Sequence, residues 1–349
     1  MVSDLRIGID LGGTNLKIGI VDLYGNVIHK TSVPTGCGPD FVVGSIVATV
    51  NTLMKRAGVG MNQIATVGIA LPGLLSTRKG VVIRCANLPG WDGVPLCDLI
   101  SKALRKPVAM ENDGRAAAFG EYRVGAGRTS PIRNMVMLTL GTGVGSGIIL
   151  DGRLVQGHAG RAGEFGHSIV KLGGELCGCG QKGCLEVYAA ASRVHNRALR
   201  ALENSSAESS LRSIDFRHGA PTSSDVVEHA LSGDPLAMQI WDETCRYIAV
   251  GCVNAAHLTD PEVIVLGGGM AAAGDFLLRG VTRHFREQYW NVELPRADIR
   301  ITEAGNDAGL IGAALLAGEV SSVAMANQFT ENIKAPVVVS LNGCPTENL

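Results

Sequence analysis

The sequence predicts an α/β protein, because short apolar runs typical of strands alternate with longer segments that have helical periodicity. Two apolar runs far apart in the chain each end in a glycine bend and then resume, and a third run ends in three consecutive glycines. With 349 residues, the chain is long enough to form two domains with large cores.

The first strands are predicted over residues 6–11 and 16–21, and residues 12–14 (Gly-Gly-Thr) form the bend between them. An apolar run, a glycine bend and a second apolar run are typical of a β-hairpin. The predicted helices include residues 41–57 and 235–256. Asp234 is the expected N-cap of the second helix, since proline follows it at the first helical position.

The hairpin design returns in the middle of the chain. Residues 135–140 are apolar, residues 141–145 form a glycine-rich bend, and residues 148–150 are apolar again. A third apolar run over residues 263–266 leads into residues 267–269, which are all glycine, and then into an alanine-rich segment expected to be helical. The chain is therefore expected to be internally duplicated.

Composition excludes several classes of protein. Hydrophobic residues make up 46% and charged residues 18% of the chain, which is typical of a globular protein. A net charge of −1 and a pI near 6.7 provide no basic field for nucleic acid. The N-terminus lacks the features of a signal peptide, and no apolar run has the length of a membrane span. The nine cysteines are an odd number, so we expect a reducing compartment, the cytoplasm.

A cluster of metal-ligand residues lies in the middle of the sequence. One imidazole and three thiols occur within a short, glycine-rich window, in His167, Cys177, Cys179 and Cys184. A Cys₃His set closes a tetrahedron around zinc and leaves no position for water, so the predicted metal is structural. The alternative, three buried free cysteines, is disfavoured because the segment has no apolar periodicity. Glu164 and Glu186 flank the ligands, and carboxylates held rigidly in this way suit a polyhydroxylated ligand.

The glycine bends match neither of two common phosphate-binding motifs. The G-x-G-x-x-G fingerprint fails because Ser146 or Ile148 stands at its third glycine position. The dipeptide Gly-Lys of a P-loop is absent from the sequence. One such bend in isolation would be an ordinary hairpin turn. Two bends of the same design indicate instead that backbone N–H groups and threonine hydroxyls hold the phosphates of one nucleotide between two domains.

The chain resembles the ROK family (repressors, open reading frames, kinases) of sugar kinases over almost its whole length. The segments that carry the resemblance occur in the family order and are I-D-L-G-G-T (9–14), L-P-G (71–73), N-L-P-G-W (87–91), E-N-D (111–113), residues 141–147, 162–167, 177–186, 265–269 and 305–312. The cysteine segment beside E-F-G-H is the most specific of them. One departure stands next to Asp113, where Gly114-Arg115 replaces the Ala-Asn that the family usually has.

The resemblance implies an α/β, two-domain, actin-like fold of the hexokinase (ribonuclease H-like) type with a central cleft between the domains. We expect a small domain of residues 1–111 plus 306–320 and a large domain of residues 112–305 that carries the zinc segment. Residues 321–349 are expected to be a C-terminal tail. The resemblance also implies a homodimer or homotetramer.

The resemblance further implies ATP-dependent phosphorylation of a hexose with Asp113 as general base, a role that its chemistry supports. The expected sugar ligands are Asn87, Asn112, Asp113, Glu164, His167 and Glu186. His167 could serve twice, with one ring nitrogen on zinc and the other toward the sugar. Asp10 would help to hold Mg²⁺, and the expected phosphate-binding residues are Gly12, Gly13, Thr14, Gly141, Thr142, Gly143, Gly268 and Gly269.

Several alternatives remain open at this point. Glucose is the first choice of substrate, with N-acetylmannosamine, N-acetylglucosamine, allose and fructose as alternatives, and ATP is favoured over polyphosphate as donor. A sugar-sensing repressor would carry a DNA-binding domain ahead of the first glycine bend, and a non-catalytic sensor would be expected to lose that bend or Asp113. A zinc hydrolase would need an open coordination position, which a Cys₃His site lacks.

Overall fold

The computed structural model describes residues 5–85, 88–129, 131–204, 208–214, 221–290 and 296–319. Its strands are β1 (Leu5–Leu11), β2 (Asn15–Val21), β3 (Val27–Pro34), β4 (Ile64–Leu71), β5 (Leu74–Ser76), β6 (Val81–Arg84), β7 (Val108–Asn112), β8 (Met135–Leu140), β9 (Val144–Leu150), β10 (Arg153–Leu154), β11 (Val263–Gly267) and β12 (Asp298–Ile301). Its helices are α1 (Pro39–Ala57), α2 (Leu96–Leu104), α3 (Asp113–Val124), α4 (Ala126–Thr129), α5 (Glu186–Ala189), α6 (Ala191–Asn204), α7 (Ser223–Leu231), α8 (Pro235–Thr259), α9 (Asp275–Gln288) and α10 (residues 308–319).

Two five-stranded sheets share one topology. The first has the order β3-β2-β1-β4-β7 and the second the order β10-β9-β8-β11-β12. In each sheet an antiparallel hairpin, β1–β2 or β8–β9, is extended by two parallel strands on the side of its first strand. The internal duplication inferred from the two glycine bends is therefore present in the fold.

Most predicted elements form close to their expected bounds. The helix expected from residue 41 begins at Pro39, and Asp234 caps α8 by accepting a hydrogen bond from the Ala237 N–H at 2.9 Å. Two expectations need correction. The second strand of the second hairpin begins at Val144, not at residue 148, because its glycines pair regularly with β8. The alanine-rich segment forms only the short 3₁₀ helix Gly269–Ala273.

Three main apolar clusters fill the interior of the described chain. One packs α1 and α2 against the first sheet, and another packs α5 to α9 against one face of the second sheet. The third joins the opposite face of the second sheet to α3 and α10, and it includes Val21 of β2. Helices α3 and α10 thus lie between the two sheets. The domain bounds of 1–111 plus 306–320 and 112–305 stay a prediction, and the tail expected at 321–349 lies outside the described residues.

Helices α3 and α10 cross at glycines because their backbones are in close contact. A Cβ atom on Gly312 of α10 would lie 1.8 Å from the Ala116 carbonyl oxygen of α3. A Cβ atom on Gly120 of α3 would lie 2.0 Å from the Ala308 carbonyl oxygen. No side chain fits at either position without a shift of backbone.

Within the described parts of the chain, no helix combines the length and the apolar character that crossing a membrane requires.

We expect Gly312→Ala to lower the thermal unfolding midpoint, because the added methyl group meets backbone that cannot move away cheaply. Overpacking of this kind typically costs about 1 to 3 kcal/mol. Gly44→Ala in α1 is the matched control, since a Cβ atom there meets nothing within 4 Å. That substitution should stabilise by about 0.5 to 1 kcal/mol through helix propensity. A midpoint that rises equally in both variants would contradict the tight crossing.

Candidate active site

Asp113 lies where the two sheets meet, as the first residue of α3 directly after β7. Asn112 caps the helix through its Oδ1 atom, which accepts the Arg115 N–H at 3.2 Å. Burial raises the pKa of Asp113 to about 6, and the nearby carboxylates of Asp10 and Glu164 act in the same direction. A hydrogen bond from the Gly114 N–H at 2.9 Å acts in the opposite direction. The site therefore gathers carboxylates from distant parts of the chain around one half-buried aspartate.

Gly114 lets the start of α3 approach the second sheet. A Cβ atom on this residue would lie 2.7 Å from the Ser146 backbone nitrogen of β9. Real Cβ atoms do not make such contacts, so even alanine would push the helix start away. The glycine that departs from the usual family pattern thus has a packing reason in this structure.

The first glycine hairpin carries Asp10 at the end of β1 and Lys17 opposite it on β2. The Lys17 Nζ lies 3.6 Å from the Asp10 carboxylate and donates to the Asn306 carbonyl at 3.0 Å. Burial raises the pKa of Asp10, and the positive charge of Lys17 opposes that shift. The bend itself is held by Thr35, whose hydroxyl donates to the Gly12 carbonyl at 2.6 Å. A carboxylate and an ammonium group therefore stand beside an exposed glycine loop.

The second glycine hairpin lies beside the glycines that follow β11. A Cβ atom on Gly268 would lie 2.5 Å from the Leu140 carbonyl oxygen, and Gly268 has a φ of 81°, so glycine is required there. The Thr142 carbonyl accepts a hydrogen bond from the Ser192 hydroxyl at 2.8 Å. The Gly141 carbonyl accepts the Ala191 N–H at the same distance. The second hairpin is thus tied to the start of α6.

The predicted zinc ligands come together in space. The ligand atoms of His167, Cys177, Cys179 and Cys184 all lie within 4.8 Å of one another. A tetrahedron with Zn–S distances of about 2.3 Å separates two sulfur atoms by about 3.8 Å. The Cys179 and Cys184 sulfur atoms are 3.7 Å apart, and the His167 Nδ1 lies 3.7 Å from the Cys177 sulfur. The donor set and its spacing therefore fit a structural zinc ion.

Glu186 connects the cysteine cluster to the second glycine hairpin. Its Oε2 atom accepts the Val144 N–H at 3.0 Å, and its Oε1 atom lies 3.6 Å from the Cys177 sulfur. A Cβ atom on Gly143 would lie 2.5 Å from the same carboxylate. Glu186, which is a predicted sugar ligand, thus uses one carboxylate oxygen to bind the backbone of the hairpin.

Glu164 reaches the site from the segment that precedes the 3₁₀ helix Phe165–His167. Its carboxylate is about half exposed and lies 3.8 Å from an Arg115 nitrogen. The Ser146 hydroxyl of β9 accepts the Phe165 N–H at 3.0 Å and donates to the Gly163 carbonyl. One serine of the second sheet therefore anchors the backbone on both sides of Glu164.

Sequence reasoning placed most of these residues in one site but missed others. Lys17 was not predicted, although its register opposite Asp10 could have revealed it once the hairpin was assigned. Ser146 appeared only as a failed glycine position of a dinucleotide motif, and its role as an anchor depends on a long-range contact. Asn87, a predicted sugar ligand, lies outside the described residues.

The chain is similar to known proteins over most of its length. A protein-family model described as the ROK family matches residues 6–320. A glucokinase of Streptomyces coelicolor is 36% identical over 321 residues, covering 90% of this chain and 98% of that protein. An N-acetylmannosamine kinase of Citrobacter koseri is 32% identical over 316 residues, covering 89% of this chain and 98% of that protein.

A solved structure shows the same fold. The ROK family glucokinase from Streptomyces griseus, in complex with glucose and AMPPNP, superposes with a TM-score of 0.78 at 33% identity. The alignment covers 90% of this chain and 99% of that one. The predicted α/β fold of the actin-like, hexokinase type is thereby confirmed. The chain belongs to the ROK family.

We expect the purified protein to contain one zinc ion per chain and Cys179→Ser to weaken zinc binding strongly. The substitution removes one of the four metal ligands. Even the replacement of residues that only hydrogen-bond to metal ligands typically costs about ten- to a hundred-fold in metal affinity or activity. The measurement is zinc content by mass spectrometry after dialysis against a graded chelator. Cys37→Ser, at an exposed cysteine outside the cluster, is the control. Wild-type protein without zinc, or a variant that retains it like the control, would contradict the assignment.

Proposed function

We propose that this protein transfers the γ-phosphoryl group of ATP to a hydroxyl group of a hexose. The observation that carries the proposal is Asp113, a half-buried carboxylate with a raised pKa at the junction of two sheets that each present a glycine hairpin. A base in this position can face a sugar hydroxyl while the two hairpins hold a nucleotide. The family membership supports the same class of reaction.

Asp113 would accept the proton of the attacking hydroxyl group. A new bond forms between the hydroxyl oxygen and the γ-phosphorus, the bond from the γ-phosphorus to its bridging oxygen breaks, and the proton goes to a carboxylate oxygen of Asp113. A carboxylate with a pKa of about 6 is ionised at neutral pH and is a stronger base than an exposed aspartate. Burial thus makes Asp113 a stronger base and still leaves it ionised at neutral pH.

The glycine hairpins would hold the phosphates through their backbone N–H groups. Gly12, Gly13 and Thr14 would contribute from the first sheet, and Gly141, Thr142, Gly143, Gly268 and Gly269 from the second. Asp10 would help to hold Mg²⁺, which when bound neutralises charge on the nucleotide phosphates. Lys17 adds a positive charge near the same loop and would attract the phosphate chain.

The sugar would bind between the cysteine cluster and the start of α3. Glu164 and Asn112 offer hydrogen-bond acceptors there, and the Nδ1 atom of His167 faces the thiols, which leaves Nε2 for a hydroxyl group. Glu186 has one oxygen beyond its bond to the Val144 N–H for the same purpose. Zinc, when bound, would fix the tautomer and orientation of His167. Asn87 remains a predicted member of this set.

Glucose is the substrate we favour, since relatives named glucokinase reach 35% and 36% identity over most of the chain. N-acetylmannosamine is the second candidate because relatives with that activity in their name reach 32%. The donor is proposed to be ATP, which the AMPPNP bound to the Streptomyces griseus enzyme supports. A coupled assay of ADP release across a panel of hexoses and N-acetylated hexosamines tests substrate and reaction class together.

We expect Asp113→Asn to abolish most turnover while sugar binding survives. The amide keeps the shape and one acceptor oxygen but cannot take the proton, and loss of a general base typically costs about 10² to 10⁴ in rate. Sugar affinity measured by calorimetry should stay within roughly tenfold of wild type, because the carbonyl oxygen still accepts a hydrogen bond.

The control for this variant is Asp151→Asn, which removes the same charge at an exposed turn of the second sheet. It should turn over like wild type. Near-normal turnover of Asp113→Asn would remove Asp113 from the role of base. A wild-type protein that binds hexose but never releases ADP would favour a sugar sensor over a kinase.

A further inference from the structure

Arg115 is a buried cation whose role the proposed reaction leaves unexplained. Its side chain is only 3% exposed, and it lies one helical position beyond Gly114 at the start of α3. The residue also stands at the position where the sequence departs from the family pattern. A buried guanidinium group must be paired to offset its desolvation, so its partners indicate what it does.

The first partner is Glu111, at the end of β7. The Arg115 Nε and Nη2 atoms both lie 2.7 Å from the Glu111 Oε1 atom, and the Glu111 side chain is only 4% exposed. Glu111 also accepts the Asn112 N–H at 2.8 Å and the Gln156 side-chain amide at 2.7 Å. The pair therefore fixes the turn that carries Asp113 and fastens it to the loop after β10.

The second set of partners lies on the segment that carries Glu164. The Arg115 Nη1 atom donates to the Ala162 carbonyl at 3.2 Å and lies 3.8 Å from the Glu164 Oε1 atom. The Gln156 carbonyl accepts the Ala162 N–H at 3.1 Å, so the loop between these two residues is closed at its base. One guanidinium group thus spans from the strand end beside Asp113 to the backbone and carboxylate of the opposite segment.

Of the three neighbouring carboxylates, two lie beside a positively charged side chain and the third does not. Asp10 has Lys17 at 3.6 Å and Glu164 has Arg115 at 3.8 Å. Asp113 forms no ion pair within the residues that the structure describes. Arg115 therefore lies beside a second carboxylate close to the base without itself pairing with the base.

We propose that Arg115 is a positioning residue that holds Glu164 in the orientation needed to bind the sugar, and so sets sugar affinity without touching the sugar. This inference rests on the proposed function, in which Glu164 accepts hydrogen bonds from sugar hydroxyl groups. Lysine cannot replace arginine in this role, because only the planar fork reaches Glu111 and the Ala162 carbonyl at once.

The test compares Arg115→Lys, Arg115→Met and the double variant Glu111→Gln with Arg115→Met. Removing arginine alone leaves a buried carboxylate without its partner and can impair folding, whereas the double variant removes both charges. In each folded variant, the Kd for hexose measured by calorimetry and the KM for hexose should both rise by about ten- to a hundred-fold. This is the fold-change expected when a hydrogen bond to a charged group is lost. KM for ATP should stay within twofold. Arg133→Lys, at an exposed arginine, is the control.

A second comparison separates positioning from general damage. If Arg115 acts through Glu164, then Arg115→Lys should weaken hexose binding much less in a Glu164→Gln background than in wild type. Equal losses in both backgrounds, or parallel losses in the KM for ATP, would overturn the inference. Wild-type protein that binds no hexose would instead overturn the proposed function, while unchanged hexose affinity in the variants would overturn this inference alone.

Discussion

The arrangement of the site depends on the close packing of one helix against its neighbours on two sides. Helix α3 starts at Asp113, presses Gly114 against Ser146 of the second sheet, and crosses α10 at Gly120. Because α10 also packs on the first sheet through Gly8, the helix is in contact with both halves of the protein. The half-buried carboxylate at its first turn lies between them, and desolvation is the main cause of its raised pKa.

The cysteine cluster holds the other side of the site in place. Cys177 lies beside Glu186, and Glu186 accepts a hydrogen bond from the backbone of the second glycine hairpin. His167 follows Glu164 by one short 3₁₀ turn. A metal held by these ligands would therefore order the second glycine hairpin and the segment of Glu164 together, and its closed coordination shell would leave it no direct part in the reaction. This explains how a metal without an open coordination position can matter for the proposed reaction.

The sequence predicted what depends on local pattern and missed what depends on distant contacts. The Cys₃His spacing, the two glycine bends and the Asp234 cap are short-range signals, and each is present in the structure, although the strand after the second bend begins earlier than expected, at Val144. Arg115 was visible only as a departure from the family pattern, because its partners Glu111 and Ala162 meet it only after β7 and the loop following β10 are brought together. Buried polar networks of this kind combine residues with no common periodicity.

In the proposed reaction Asp113 is the base, and its environment sets its basicity. The most direct measurement is the pH dependence of kcat/KM for the hexose, at saturating Mg-bound ATP, in wild type and Asp113→Asn. A base must be deprotonated, so wild-type activity should fall about tenfold per pH unit below an apparent pKa near 6. The residual activity of Asp113→Asn should not show this decrease at acidic pH. Any effect of ATP protonation should appear equally in wild type and in the variant. The same acidic limb in both proteins, or a flat wild-type profile down to pH 5, would contradict the account.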